Sequence, residues 1–230
     1  MSQSPTTTAK LKEFTVAAAR PLPVIVLADV SGSMEGAKID SLNLALGDML
    51  KSFVNIDAAQ AEPHVAIITF GGAARLHTPL APAKSVTWSP ASANGNTPLG
   101  AALELALNLV EDRSVIPSRA YRPYILLASD GQPNDAWHEP LQRLLRSERG
   151  SKASRVALAI GDDADEAVLR QFLANPEERI FRASEASTIK DFFRAFTMSV
   201  VVASRTPGAP VPSVSQAIQQ ASGHRLVFDD

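Results

Sequence analysis

Four short runs in this chain, residues 24–28 (VIVLA), 65–70 (VAIITF), 124–128 (YILLA) and 156–160 (VALAI), are apolar at nearly every position. A strand with one wet face alternates polar and apolar residues. A strand without that alternation must be covered on both faces, as parallel strands are when crossover helices pack on each side. Each run is too short for a helix, and several are rich in Val and Ile. Between them the apolar residues change period. Ile39, Leu42, Leu46, Met49, Leu50 and Phe53 recur at intervals of three and four, the mark of an amphipathic helix. Similar stripes run through Leu99, Leu103, Ala106, Leu107 and Val110, then Leu141, Leu144 and Leu145. Two more follow, through Val168, Leu169, Phe172 and Leu173 and through Ile189, Phe192, Phe193, Phe196 and Val200. The stretch ARLHTPL (74–80) follows Gly71-Gly72 and reads as the return arm of a hairpin, an antiparallel edge strand. A last short strand is expected over 179–182. The pattern predicts an α/β fold: an open, mostly parallel sheet of about six strands, one edge strand antiparallel, with helices on both faces.

The 230 residues suffice for one sizeable core and are few for two. The expected organisation is an N-terminal tail (1–20), one domain (21–204) and a C-terminal tail (205–230) rich in Pro, Ser, Ala and Gln, without a core-facing stripe and expected to be mobile. The closing LVFDD is the exception, an apolar triplet able to dock on the body or enter a neighbour's site. The N-terminus has no apolar run of signal-peptide type, and no window approaches the roughly 18 apolar residues of a spanning helix. No cysteine is present, which excludes disulfides, thiolate catalysis and cysteine-ligated metals and fits a reducing compartment. A net charge of −2 recommends neither nucleic acid nor an anionic membrane as partner. A soluble, cytoplasmic protein is expected.

In such sheets functional groups gather where the strands end at their carboxyl edge. The first strand is followed by DVSGSM, with Asp29, Ser31 and Ser33. The loop VTWSPASANGNTPLG brings Thr97 to the start of a helix, and the strand YILLAS is followed by Asp130. A serine nucleophile needs a base within reach, and His64, His77, His138 and His224 are all expected away from this rim. No G-x-S-x-G elbow and no phosphate-binding glycine motif occurs. A Mg²⁺-dependent phosphohydrolase of the haloacid dehalogenase type would use Asp29 as nucleophile, with Ser31 in place of its usual acid/base carboxylate. It stays open as the alternative. Two carboxylates with three neutral hydroxyls suit Mg²⁺, a hard cation held through one or two protein carboxylates. Neutral hydroxyls leave the ion electrophilic toward an incoming anion.

DVSGSM, then a Thr opening a helix in GNTPLGAAL, then a strand ending at Asp130, resembles the metal-ion-dependent adhesion site of von Willebrand factor A (vWA) domains. The likeness spans about residues 22–203. Their D-x-S-x-S, T and D elements match Asp29, Ser31, Ser33, Thr97 and Asp130 one for one. The resemblance implies a Rossmann-like three-layer fold and a non-enzymatic module that binds a protein partner through an acidic side chain. The implied ion is Mg²⁺, with Mn²⁺ or Ca²⁺ as substitutes. LASDGQPNDAW and AIGDDADEAVLRQFL further resemble the bacterial TerY-like group of tellurium-resistance and stress operons, which implies coupling to an operon-encoded kinase and phosphatase.

The same residues have structural readings. Thr97 before Pro98 has the form of an N-cap followed by proline at the first helical position. Asp162, Asp163 and Asp165 precede a helix, where capping is the better expectation. Asp135 is ambiguous in the same way, between a helix cap and a site residue. Gly32 suits a close approach of the loop to an ion. Trp88 and Trp137 lie near rim loops, with a partly buried structural role expected over contact with a partner.

Overall fold

The computed structural model describes residues 19–54, 61–205 and 227–228. The elements are β1 (Arg20–Asp29), α1 (Ala37–Val54), β2 (Ala61–Gly71), β3 (Ala73–Pro82), α2 (Leu99–Glu111), β4 (Tyr124–Ser129), α3 (His138–Arg146), β5 (Ser154–Ile160), α4 (Glu166–Leu173), β6 (Ile180–Ala183), α5 (Ala186–Arg205) and β7 (Val227–Phe228). One sheet runs in the order β3-β2-β1-β4-β5-β6-β7. β2, β1, β4, β5 and β6 are parallel, and β3 is antiparallel at one edge, as the hairpin reading expects. Gly72, at φ +65°, makes the tight turn between β2 and β3.

β1 begins four residues before its apolar run, because Pro21 and Pro23 disguise it. Pairing with β4 starts only at Val24↔Tyr124, so both prolines lie where β1 has a neighbour on one side alone. There a missing N–H leaves no gap in a ladder.

The double coverage of the strands is visible in how each run divides. Leu22, Val24, Val26 and Ala28 of β1 face a core built with α1 and α5, while Ile25 and Leu27 face the opposite core with α2, α3 and α4. Phe181, Phe192, Phe193 and Phe196 are fully buried and pack ring on ring, Phe181–Phe192 at 5.1 Å and Phe192–Phe193 edge to face at 5.6 Å. Trp88 packs against the first core and lies 4.7 Å from the His77 ring; Trp137 is 8% exposed and stacks on His138 at 3.8 Å. Both tryptophans have the expected structural role.

The order of strands reverses at β1, with β2 on one side and β4 on the other. Their carboxyl ends flank the crevice where open α/β sheets bind ligands.

Val227–Phe228, within the expected C-terminal tail, form a short strand antiparallel to β6, with Phe181↔Phe228 and Arg182↔Val227 opposed. Of LVFDD, Val227 and Phe228 therefore pair with the sheet edge, where a mobile tail was expected. Residues 1–18, 206–226 and 229–230, the greater part of both expected tails, lie outside the described residues. Among the described residues no helix is long and apolar enough to cross a membrane.

Phe192→Ala, which empties the centre of the aromatic cluster, is expected to lower unfolding free energy by about 3–5 kcal/mol. Denaturant titration measures it, and a loss under about 1 kcal/mol would contradict the packing described.

Candidate functional site

Asp29 closes β1 and is wholly buried. Its Oδ1 accepts the Ser31 N–H at 2.9 Å and its Oδ2 accepts the Ser129 hydroxyl at 2.5 Å. The second bond follows from register: Ala28 pairs with Ala128, which sets the last residue of β1 beside the last of β4. The chain then turns so that the Ser31 and Ser33 hydroxyls lie 3.0 Å apart, and Ser33 donates to Asp130 Oδ1 at 2.7 Å. The other oxygen of Asp130 accepts the Lys38 ammonium, also at 2.7 Å.

Thr97 arrives from the far side of the crevice on a loop clamped by main-chain bonds. Gly32 N–H donates to Gly95 O, Asn94 N–H to Val30 O and Gly72 N–H to Asn96 O, all within 2.8–2.9 Å. The clamp needs glycine at its contacts. A Cβ on Gly95 would stand 2.6 Å from the Gly72 Cα, and one on Gly71 would stand 2.1 Å from the Val30 carbonyl oxygen. The close approach made by Gly32 is thus to this loop.

The oxygens meet around Gly131. A Cβ there would lie 3.3 Å from Thr97 Oγ1, 3.6 Å from Ser33 Oγ and 3.9 Å from Asp29 Oδ2. This glycine keeps open a small cradle walled by oxygens from two loops, the one after β1 and the one that carries Thr97. Among the described residues no three of His, Cys, Asp or Glu gather as a metal-holding group. The donor set is instead two carboxylates and hydroxyls, a composition that fits a hard cation such as Mg²⁺.

The capping expectation for Thr97 is corrected. Pro98 occupies the N-cap position of α2 and no side chain of that turn caps it. The free N–H groups of α2 are satisfied from across the crevice by Asp135, whose Oδ1 accepts Gly100 N–H at 2.9 Å and whose Oδ2 accepts Ala101 N–H at 3.0 Å. The ambiguous Asp135 is therefore a structural cap. Thr97 is relieved of capping, and its hydroxyl borders the cradle. Of the three acids before α4, Asp165 is the cap, accepting from Ala167 and Val168 N–H; Asp162 and Asp163 are not.

A family model, the von Willebrand factor type A domain, matches residues 24–195. The chain belongs to this family. Solved structures agree on the fold. A von Willebrand factor type A protein from Catenulispora acidiphila superposes with a TM-score of 0.63 at 18% identity, over 80% of this chain and 43% of that one. The pilus adhesin SpaC from Lactobacillus rhamnosus GG gives 0.65 at 14%, over 80% and 31%. Proximal thread matrix protein 1 of the mussel byssus, in a structure with a zinc-occupied MIDAS motif, gives 0.58 at 19%, over 80% and 46%. The present chain thus spans less than half the length of each of these proteins. No curated protein matches the sequence.

In this VWA domain Ser129, Lys38 and Gly131 join the five residues singled out from the motif. Nothing in their sequence neighbourhood marks the first two, since both act through contacts about a hundred residues away along the chain. His64 pairs with Glu62 and His77 with Thr78.

The charge imbalance of the VWA site falls on Asp29. Burial pushes its carboxyl above the ordinary 3.8, opposed by the bonds from Ser129 and Ser31, while the nearby Asp130 carboxylate raises it further. The folded state therefore holds the Asp29 proton more tightly than the unfolded state does. Stability contributed by that proton is present at acid pH and is lost as pH rises from about 3.8 through the raised value. Asp29→Asn keeps an acceptor for Ser31 and removes the buried charge. In chelator it is expected to melt higher than wild type at pH 7, with the gap closing as pH falls toward 4; a lower melting temperature at pH 7 would contradict this assignment.

The caps give a second test. Asp135→Ala is expected to cost about 1 kcal/mol of unfolding free energy, the usual loss of a cap, and Thr97→Ala distinctly less. Urea titrations showing the reverse order would return the cap to Thr97.

Proposed function

We infer that this VWA domain is a divalent-metal-dependent protein-binding module. Asp29, Ser31, Ser33, Thr97 and Asp130 hold the ion, Mg²⁺ with Mn²⁺ or Ca²⁺ as substitutes, and an acidic side chain of a protein partner completes its shell. The observation that carries this reading is the cradle over Gly131, bordered by Thr97 Oγ1, Ser33 Oγ and Asp29 Oδ2. A second support is electrostatic. Asp29 is buried as a carboxylate beside another carboxylate, and a divalent cation offsets the cost of ionising it. The zinc-occupied MIDAS motif of the mussel protein adds support from within the same fold.

Capture rather than catalysis is favoured at position 31, where the alternative phosphohydrolase needs an acid and this chain carries a hydroxyl. The wording of the loops LASDGQPNDAW and AIGDDADEAVLRQFL supports placing the module in the cytoplasm of a bacterium, in a tellurium-resistance or stress-response system with an operon-encoded kinase or phosphatase as partner.

Capture of a partner from native lysate is expected to require Mg²⁺ and to be reversed by chelator. Ser33→Ala and Thr97→Ala are expected to keep the circular dichroism of the wild type, to lose most of the Mg²⁺ binding heat in calorimetry and to lose capture. Asp163→Ala, outside the cradle, keeps both. Normal chelator-sensitive capture by the Ser33 and Thr97 variants would place the ion elsewhere. Sustained Mg²⁺-dependent turnover of a phosphatase substrate, abolished by Asp29→Asn, would replace capture with hydrolysis.

A further inference from the structure

Lys38 breaks a local rule. It stands in the first turn of α1, where the helix dipole presents its positive end and a cation is disfavoured. A basic residue held at such a place has a compensating contact elsewhere. That contact is Asp130. The Lys38 ammonium lies 2.7 Å from Asp130 Oδ2, with the lysine side chain 32% exposed and the carboxylate side chain 0% exposed. The other oxygen of Asp130 is held by the Ser33 hydroxyl, so both are engaged by named donors. The loop after β5 leaves room for the ammonium. A Cβ on Gly161, which sits at φ +80°, would come within 3.1 Å of Lys38 Nζ. The lysine thus spans from α1 over the end of β5 to the end of β4 and places a fixed monovalent charge beside the cradle.

We propose that Lys38 is a built-in competitor of the divalent ion: it neutralises Asp130 in the metal-free protein, weakens metal binding by the site alone, and gives the metal-loaded site a surplus positive charge that selects an anionic side chain. The inference rests on the metal-site reading above. Its logic is a charge count over groups in contact. Asp29 and Asp130 supply two negative charges, and a divalent ion alone would cancel them. With Lys38 present the loaded site carries one positive charge too many, which a single incoming carboxylate removes. Two cations drawn to the same carboxylate also repel each other, and a buried acceptor makes that repulsion felt more than at an open surface. Metal and anion then favour each other reciprocally, because each relieves an imbalance the other leaves.

The test is a Mn²⁺ titration by calorimetry on the full chain, in low salt, for wild type, Lys38→Gln and Lys38→Arg. Glutamine keeps an N–H donor for Asp130 and removes the charge; arginine keeps the charge. Lys38→Gln is expected to bind Mn²⁺ about tenfold more tightly than wild type, with Lys38→Arg close to wild type. Repeating the titration in acetate at matched free Mn²⁺ is expected to strengthen binding in wild type and Lys38→Arg and to leave Lys38→Gln unchanged. Melting curves in chelator establish that each variant is folded. A lysine that serves only to pack α1 would lower the melting temperature without moving the Mn²⁺ affinity. Equal or weaker Mn²⁺ binding by folded Lys38→Gln overturns the competitor role, and an equal acetate effect in all three proteins overturns the selection of an anion. Wild type that takes up no Mn²⁺ at all overturns the metal-site reading itself, a result distinct from either.

Discussion

A carboxylate with no exposure to water, at the end of the central strand, is the constraint around which the crevice is organised. Burying the ionised form is costly unless hydrogen bonds and opposite charge replace the lost water. Asp29 receives only part of that replacement from the chain. The Ser31 N–H and the Ser129 hydroxyl saturate one lone pair on each oxygen, and its carboxyl still sits above its ordinary value because burial outweighs both bonds. Asp130, one strand away, is treated differently. It is paired with the Lys38 ammonium. Asp130 is also only 2% exposed, and its two oxygens accept from Ser33 and Lys38.

The rest of the crevice solves a problem of delivery. Oxygens from loops separated by about a hundred residues must reach one point, and a flexible loop would spend conformational entropy to place Thr97 there. Main-chain bonds between 30–32, 71–72 and 94–96 remove that freedom, and the glycines at 71, 72 and 95 allow the backbones to approach within distances a side chain forbids. The cap of α2 is supplied by Asp135 from a different loop, which leaves the Thr97 hydroxyl uncommitted to the helix. Structural and candidate functional tasks that a single residue might share are divided between two.

The fold was legible because burial on both faces of a strand leaves a direct trace in composition. Residues 24–28, 65–70, 124–128 and 156–160 fall inside β1, β2, β4 and β5, and every helical stripe falls on a helix. Boundaries were less legible where proline masks a strand, as at Pro21 and Pro23, and where a strand owes its existence to a distant edge, as with Val227–Phe228. At the crevice the order of the motif was enough to name Asp29, Ser31, Ser33, Thr97 and Asp130, and the fold brings them to one rim. Thr97 was also read as a cap, because a Thr-Pro pair before an apolar stripe has that form whether or not a more distant carboxylate does the capping. Ser129 and Lys38 were illegible for a related reason. A serine ending a strand and a lysine early in a helix acquire meaning only through register and crossover geometry, which local patterns do not encode.

Exposure within the crevice follows from the same geometry and fixes the direction from which anything can approach it. Asp29, Ser31, Thr97 and Asp130 are all buried, whereas Ser33 and its neighbour Gly32 face solvent. Among the described residues Lys38 is the partly exposed charge bonded to Asp130. A ligand arriving from water therefore meets Ser33 and the lysine ammonium before it meets either carboxylate. Of the carboxylates behind them, Asp130 has one oxygen on the Ser33 hydroxyl and the other on the Lys38 ammonium, while Asp29 Oδ2 borders the cradle over Gly131.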